Sequence, residues 1–335
     1  MSIRGQFPSL QLAPFVLSVL CVLLGCGNGR NAPDATAKAP ETKAGKKLVV
    51  GFSQIGAESG WRMANTKSIQ EEAASRAIDL KFSDAQQKQE NQIKALRSFV
   101  AQGVDVIMFS PVVETGWTQV MKEIKDANIP VIIGDRRPDV PEDYYVTFIG
   151  SDFVEEGRRA ANWLAKKMSG KAVIAEMTGT PGSAPANDRK KGFEEVLKGF
   201  PEMKIALSQT GDFTRSKGKE VMEAFLKSPH GKSINALFAH NDDMALGAIQ
   251  AIEEAGRKPG KDIVIVSIDG VKGIFEAMVA GKANCTVECN PLIGPQLFDA
   301  VDKLMKGEKL PKRTVVQESV FDETQAKAEL PNRKY

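Results

Sequence analysis

Short apolar segments rich in β-branched residues alternate with amphipathic segments from residue 48 onward. The apolar segments predict buried strands at 48–52, 104–109, 131–133, 172–177, 234–238 and 263–268. Between them, apolar residues recur every three or four positions, as on one face of a helix. One such stripe contains Leu96 and Phe99 and ends at Gly103, a residue type that tolerates the left-handed turn after a helix. Apolar strands that alternate with helices are typical of parallel sheets covered on both faces.

The number of strand–helix units predicts two domains rather than one. About ten such units are too many for one compact sheet, and 335 residues suffice for two domains. We therefore predict an α/β fold of two doubly wound, Rossmann-like domains, with the second beginning near Asp152. A single large barrel is the alternative layout.

The N-terminal segment resembles a bacterial lipoprotein signal. Arg4 precedes an apolar stretch at 10–24, which is short for a membrane span and ends at Gly25-Cys26. The resemblance implies that residues 1–25 are a signal peptide and that Cys26 is lipidated. An ordinary signal peptide or a retained helix are the alternatives. Residues 26–46 are poor in large apolar side chains and are predicted to be a flexible tether, so we expect an anchored protein on the periplasmic or extracellular face of a membrane.

Charge and cysteine usage exclude several classes of function. The net charge is +3 and opposite charges are interspersed, so we expect no nucleic-acid partner. Cys285 and Cys289 would lie about 13 Å apart on one strand, too far for a disulfide. With His230 and His240 as the only histidines, we expect no metal and no other cofactor.

Polar and aromatic side chains follow the strands of both halves. Because ligands bind beyond the carboxyl ends of parallel strands, these residues predict one polar cleft between two sheet edges. Asp242 and Asp269 have a second interpretation as helix N-caps. The strand-end residues are Ser53, Gln54, Asp84, Ser110, Asp135, Arg136, Asp212, Phe213, His240, Asn241, Asp242 and Asp269.

The chemistry of these residues suits a polyhydroxylated ligand. Carboxylates, amides and guanidinium groups pair with adjacent hydroxyls, and aromatic rings pack against the C–H faces of a sugar. Phe52, Trp61 and Phe213 are the aromatic candidates, although Phe52 and Phe213 could instead belong to the core.

Several motifs are similar to those of one family. They lie at 51–54, 58–62, 84–92, 111–117, 135–136, 188–193, 211–223, 239–244 and 267–271. Over residues 48–307 the chain resembles periplasmic sugar-binding proteins of the ribose/galactose type. Within that family it is most similar to the galactofuranose-binding proteins of bacterial ABC importers.

The resemblance implies a type I periplasmic binding fold, in which two domains joined by three crossing strands close on a sugar. It places residues 47–151 and 290–318 in the first domain, and residues 152–289 and 319–335 in the second. Asn187 stands where ribose-binding members carry a sugar-binding Arg, so the roles of Asn187 and Arg189 depart from the family pattern. Cys289 stands where those members carry a Gln, which argues against plain ribose. Pattern and resemblance together predict ten sugar-binding residues: Phe52, Glu58, Trp61, Arg62, Asp135, Arg136, Arg189, Phe213, Asn241 and Asp269.

The predicted function is capture of a monosaccharide, galactofuranose or a related sugar, for an ABC transporter permease. We expect a monomer that performs no catalysis. A sensor subunit that signals to a membrane receptor is the alternative. A glycosidase would need a catalytic constellation that the sequence does not suggest, and a sugar-responsive repressor would need a helix-turn-helix where the signal segment stands.

Overall fold

The structure is a computed structural model that describes residues 47–335. The predicted signal peptide, the lipidation site Cys26 and the tether at 26–46 lie outside these residues. The strands of the described chain are β1 Val49–Gln54, β2 Asp79–Asp84, β3 Val106–Phe109, β4 Val131–Gly134, β5 Thr147–Gly150, β6 Lys171–Thr178, β7 Glu202–Thr210, β8 Ala236–Ala239, β9 Val264–Asp269, β10 Cys285–Glu288, β11 Arg313–Val315 and β12 Val320–Asp322.

Helices follow most of the strands, as the sequence pattern predicts. Within residues 47–335, none of them combines the length and the apolar character needed to cross a bilayer. The α-helices are α1 Gly60–Ser75, α2 Gln89–Gln102, α3 Thr118–Asp126, α4 Phe153–Lys167, α5 Ala184–Leu197, α6 Arg215–Lys227, α7 Asp242–Glu254, α8 Lys272–Val279, α9 Gly294–Met305 and α10 Ala326–Glu329. Short 3-10 helices lie at Glu142–Tyr144 and Leu330–Asn332.

The strands form two six-stranded sheets, and each is the centre of one lobe. The first sheet has the order β11-β5-β4-β3-β1-β2 and the second the order β12-β10-β9-β8-β6-β7. All pairs are parallel except β10 with β12. This confirms the predicted fold class of two doubly wound α/β units.

The chain crosses between the sheets three times. It leaves the first sheet after β5, returns after β10, and leaves again between β11 and β12. The domain limits expected after residues 151, 289 and 318 stay predictions. The crossings matter for function because any motion of one lobe relative to the other must change the backbone of these three segments.

Apolar side chains cover both faces of each sheet. In the first lobe, Phe52, Ile69 and Phe298 belong to one core cluster, whereas Leu96 and Phe109 belong to a second cluster. The second lobe has one large cluster, and Trp61 of the first lobe is part of it. Because Trp61 lies on α1 of the first lobe but is buried in the core of the second lobe, it connects α1 with the opposite side of the cleft.

The apolar pattern does not identify β5, β7 or α4, although Asp212 and Phe213 are predicted to follow a strand and do follow β7. β7 is an edge strand with many half-exposed positions, so it lacks the apolar run that identifies a central strand. β5 has four residues and ends in a glycine. The buried face of α4 contains Gly157, Ala160 and Ala161, and such small residues mark an apolar stripe only weakly.

Candidate functional site: a polar cavity between the lobes

A cavity of about 290 Å³, a volume that includes space open to solvent, lies between the carboxyl ends of the two sheets. Nine of the ten side chains predicted to bind ligand line it, and both lobes contribute. The lining residues are Glu58, Ser59, Trp61, Arg62, Asp135, Arg136, Phe153, Pro185, Arg189, Phe213, Asn241, Asp269 and Cys289.

Phe52 is the predicted residue that the structure places elsewhere. Its ring is 1% exposed, belongs to the core of the first lobe and lies 6.1 Å from the ring of Phe82. Position 52 lies in the interior of β1, where side chains point to the faces of the sheet rather than to its edge. We therefore leave Phe52 out of the proposed site.

Four lining residues were absent from the prediction. Cys289 directly follows β10, so the strand-end rule could have identified it. Ser59 is the N-cap of α1, and its hydroxyl accepts from the backbone N–H of Arg62. Phe153 and Pro185 lie in the first turns of α4 and α5, where no sequence pattern distinguishes cavity residues from core residues.

Arg62 organises the first-lobe wall of the cavity. Its guanidinium lies 2.8 Å from Asp135 Oδ2 and 3.0 Å from Glu58 Oε1. Burial alone would lower the pKa of Arg62, but the carboxylates of Asp135 and Glu58 raise it above its ordinary value. Ser110 also donates to Asp135 Oδ2, at 2.9 Å. These contacts fix both carboxylates before any ligand arrives.

Arg136 is a second buried guanidinium with fewer partners. One of its terminal nitrogens donates to the carbonyl of Val112 at 3.1 Å. The central carbon of its guanidinium lies 5.2 Å from the centre of the Phe213 ring. Burial, together with the charge of Arg62, lowers the pKa of Arg136 to about 10. Its Nε has no hydrogen-bond partner in the described part of the chain, and neither does Glu58 Oε2.

Arg189 has the corresponding position in the second lobe. Its Nε donates to Glu156 Oε2 at 2.7 Å and a terminal nitrogen donates to the carbonyl of His240 at 2.6 Å. Burial opposes the charge of Arg189, yet the carboxylate of Glu156 raises its pKa above the ordinary value. The guanidinium also lies 5.2 Å from the ring centre of Phe153, so it is held by charge and by an aromatic face.

Asp269 and Asn241 complete the second-lobe wall. Burial raises the pKa of Asp269 well above its ordinary value, and Asp242 adds to the rise while Arg189 opposes it. Asp269 Oδ2 has no hydrogen-bond partner within residues 47–335. Asn241 is the N-cap of α7, since its Oδ1 accepts from the N–H of Met244 at 3.0 Å.

Asp242 is neither an N-cap nor a cavity residue. Its carboxylate is buried and accepts from the hydroxyls of Ser267 and Thr286 and from the backbone N–H groups of Gly270 and Val271. It thereby holds the turn after β9, which carries Asp269. Asp269 does not cap a helix either, because α8 begins at Lys272 with Val271 as its N-cap.

Phe213 and Trp61 provide the aromatic surfaces. The Phe213 ring lies against Gly179, where an added Cβ would come within 1.8 Å of the ring. Only glycine therefore leaves room for Phe213 in this position. Trp61 donates from its indole N–H to the carbonyl of Cys289 at 2.5 Å and joins α1 to the second crossing.

Three cavity residues have backbone conformations that are uncommon for residues other than glycine. The φ angles are +62° at Asp135, +61° at Phe213 and +138° at Asp269. Such strain costs about 1–3 kcal/mol per residue and concentrates at functional sites. All three residues stand at or just beyond the end of a strand, and in this backbone conformation their side chains line the space between the lobes.

The lobes contact each other directly around the cavity. The backbone N–H of Gly60 donates to Asp243 Oδ2 at 2.7 Å, and that of Glu114 donates to the carbonyl of Gly182 at 2.9 Å. Asn187 is exposed and donates to Glu114 Oε2 at 2.6 Å, so it bridges the lobes and does not line the cavity. The structure is therefore a closed arrangement.

The formal charges of the lining residues balance. The basic residues are Arg62, Arg136 and Arg189, and the acidic residues are Glu58, Asp135 and Asp269, of which Asp269 has the raised pKa that favours its neutral form. A site with no formal net charge and with unpaired buried donors and acceptors suits a neutral ligand that carries several hydroxyl groups. Phe213 and Trp61 offer apolar faces to the same ligand.

Comparison with known proteins identifies relatives of the whole described chain. A profile described as "Periplasmic binding protein domain" matches residues 50–309. The galactofuranose-binding protein YtfQ of Escherichia coli is 53% identical over 291 residues, which cover 86% of this chain and 92% of that protein.

Two solved structures are similar in both sequence and fold. The binding protein of the arabinose ABC transporter of Shewanella sp. ANA-3, bound to α- and β-L-arabinofuranose, is 54% identical and superposes with a TM-score of 0.83 over 86% of this chain and 96% of that one. A Mycobacterium smegmatis protein in complex with β-D-fucofuranose is 55% identical, with a TM-score of 0.83 over 86% of this chain and 95% of that one.

Proposed function

Because this chain belongs to the periplasmic binding protein family, we propose that it captures a monosaccharide in its furanose form and delivers it to the permease of an ABC importer. Members of this family bind solutes outside the cytoplasm and do not transform them. The proposal takes the sugar class from the relatives and the binding site from the geometry of this chain.

The observation that carries the proposal is the composition of the cavity wall. Side chains from both lobes leave Glu58 Oε2, Arg136 Nε and Asp269 Oδ2 buried and without partners in the described chain. A buried polar atom without a partner costs about 1–3 kcal/mol. Sugar hydroxyls donate to the carboxylates and accept from the guanidinium, so the sugar supplies the missing partners.

The relatives favour one ring form and one configuration. The sugars named for them are galactofuranose, L-arabinofuranose and D-fucofuranose. These three share the configuration of the five-membered ring and differ only in the group attached to its C4 carbon. We therefore propose that the cavity binds this ring and tolerates variation in the exocyclic group.

Binding and closure are one event in this proposal. The first lobe offers Arg62, Asp135 and Arg136, and the second offers Arg189 and Asp269, so a sugar gains its full set of contacts only when the lobes meet. The sugar thereby shifts the population towards the closed arrangement. The permease then distinguishes the loaded from the empty protein by the relative position of the lobes.

A thermal-shift screen with the purified protein tests this function. We expect L-arabinose, D-galactose and D-fucose, which all populate a furanose of this configuration, to raise the unfolding temperature. Ribose, glucose and myo-inositol are the controls and should give smaller shifts. Protein that is folded and free of ligand, yet is not stabilised by any of these sugars, would contradict the proposal.

We also propose that Cys26 carries a lipid anchor. The support is the apolar segment at 10–24 that ends at Gly25-Cys26 and the polar segment at 26–46 that follows. Acyl chains on this residue would hold the protein at a membrane. In cells, Cys26→Ser should move the protein from the membrane fraction to the soluble fraction, whereas Cys285→Ser should not. Equal partition of both variants would contradict the anchor.

A further inference from the structure

The three segments that cross between the lobes each bring one titratable group to a single place. Glu156 lies in the first turn of α4, just after the first crossing. Cys289 follows β10 in the second crossing, and Glu318 lies between β11 and β12 in the third. One oxygen or sulfur atom of each residue lies within 4.8 Å of the other two. We call these three residues the hinge cluster.

The hinge cluster contains a buried acceptor that lacks a donor. Glu156 is 1% exposed, and its Oε2 accepts from Arg189, but its Oε1 has no hydrogen-bond partner within residues 47–335. Glu318 Oε1 accepts from the hydroxyl of Ser151 at 2.5 Å and from the backbone N–H of Asn290 at 2.9 Å. A proton on Glu318 would supply a donor to Glu156, beside the thiol of Cys289, which lies in the same cluster and can also donate to it.

The surrounding charges decide which carboxyl carries that proton. Burial raises the pKa of Glu156 as well, but the guanidinium of Arg189 at 2.7 Å opposes this rise, whereas the polar contacts of Glu318 are neutral donors, so Glu156 is the better anion. Burial, followed by the charge of Glu156, raises the pKa of Glu318 to about 9. Burial also raises the pKa of the Cys289 thiol, which is therefore neutral. The charged and titratable groups around Glu318 are Glu156, Cys289, Arg159, Arg189 and Arg313, and Asp269 faces Cys289.

We propose that Glu156 and Glu318 share one proton in the closed arrangement, and that closure on the sugar takes this proton from solvent. The inference rests on the proposed function and adds a form of regulation to it. If separation of the lobes lets water reach both carboxylates, Glu318 in the open arrangement would ionise at an ordinary pKa of about 4.3. Closure then converts the Glu318 carboxylate and one solvent proton into a neutral carboxylic acid.

A bound cation explains the hinge cluster less well than a proton does. Arg189 already provides a positive charge at Glu156 Oε2, and Ser151 and Asn290 already occupy Glu318 Oε1. A metal ion would have to enter beside that guanidinium and displace these donors. A proton requires no displacement.

The direction of the pH effect follows from the raised pKa of Glu318. Below the open-state pKa of about 4.3 the carboxyl is protonated in both arrangements, and closure costs nothing extra. Above it, closure must take up a proton, so sugar affinity falls by up to about ten-fold per pH unit until the closed-state pKa is reached. The protein would therefore bind sugar more tightly in an acidic environment and release it more readily in an alkaline one.

Calorimetric titration in two buffers of different ionisation enthalpy counts the protons directly. At about pH 7.5, the unmodified protein should take up close to one proton more per bound sugar than Glu318→Gln. Glutamine keeps the size of the side chain and can donate to Glu156, so the variant should fold and bind. Exposed Glu308 is the matched control, and Glu308→Gln should behave like the unmodified protein. Asp242 and Asp269 are unchanged in both proteins and cancel in the difference.

A second readout follows the proton itself. In infrared difference spectra at about pH 7.5, the sugar should induce the carbonyl band of a protonated carboxylic acid in the unmodified protein, and Glu318→Gln should lack this sugar-induced band. Equal proton uptake by the unmodified protein and Glu318→Gln would overturn the proposal, as would the absence of this band from every form prepared. Stabilisation by zinc that Glu318→Gln abolishes would also overturn it, because the cluster would then hold a metal. Failure of all sugars to bind would contradict the proposed function, whereas sugar binding without the extra proton uptake and without this band would contradict the shared proton alone.

Discussion

Asp135→Ala is expected to weaken sugar binding at least about a hundred-fold while the protein stays folded. Asp135 lines the cavity, is 5% exposed and has a strained backbone that only the surrounding structure maintains. Its carboxylate is held by Arg62 and Ser110 and is available to sugar hydroxyls without further reorganisation. Loss of hydrogen bonds to a charged acceptor of this kind costs about 3 kcal/mol, and each 1.4 kcal/mol is a factor of ten.

The fold should survive because Arg62 keeps other partners. In the variant its guanidinium still contacts Glu58 Oε1 and Gln54 Oε1. Calorimetric titration with the most stabilising sugar measures the affinity, and circular dichroism checks the fold. Asp84 is the matched control, because it also ends a strand of the first sheet but is exposed and does not line the cavity. An affinity for Asp135→Ala within about three-fold of that for Asp84→Ala would remove Asp135 from the site.

Arg189→Ala is expected to have the largest effect on stability. The residue is 3% exposed, and its guanidinium neutralises Glu156 and donates to the carbonyl of His240. Removing it leaves a buried carboxylate and a buried carbonyl without their donor. Breaking a buried pair in this way typically lowers the free energy of unfolding by about 3–5 kcal/mol. Sugar binding should weaken as well, since Arg189 lines the cavity.

Urea unfolding monitored by fluorescence measures this loss. Arg158 is a suitable control, because its side chain is 41% exposed and pairs with Glu195 on the surface. Arg158→Ala should cost less than about 1 kcal/mol. Arg189→Lys should recover part of the loss, since an ammonium group can neutralise Glu156 but cannot donate in the same fork geometry. Similar losses for Arg158→Ala and Arg189→Ala would show that the buried pair is not important for the fold.

The sequence predicted the fold and most of the cavity for one physical reason. Central parallel strands are apolar along their whole length, so a polar residue directly after such a strand stands out. Asp135, Asn241 and Asp269 were all identified in this way, and all of them line the cavity. Trp61 and Arg62 were identified because their loop lacks an apolar pattern that would explain them.

Side chains whose orientation depends on the face of a strand or on contacts between the lobes could not be predicted. Phe52 lies in a strand that is buried on both faces, so its neighbours do not reveal where its ring points. Phe153 and Pro185 reach the cavity only because of how α4 and α5 pack beside it.

The hinge cluster was also beyond sequence reasoning. Glu156 and Glu318 lie on different crossings and are separated by most of the second lobe in the chain. Neither residue belongs to a motif or follows a central strand, and each resembles an ordinary surface glutamate in the sequence. Only the meeting of the three crossings reveals that their carboxyl groups share one buried place.

The most direct test of the central claim is calorimetric titration with two analogues of L-arabinose that differ in the ring they can form. The 5-deoxy analogue lacks the hydroxyl that closes a pyranose and is restricted to the furanose, while the 4-deoxy analogue is restricted to the pyranose. Our account predicts one-to-one binding of the 5-deoxy analogue, loss of that binding in Asp135→Ala, and no measurable binding of the 4-deoxy analogue. Tighter binding of the 4-deoxy analogue, or binding that Asp135→Ala leaves unchanged, would contradict a furanose site in the cavity between the lobes.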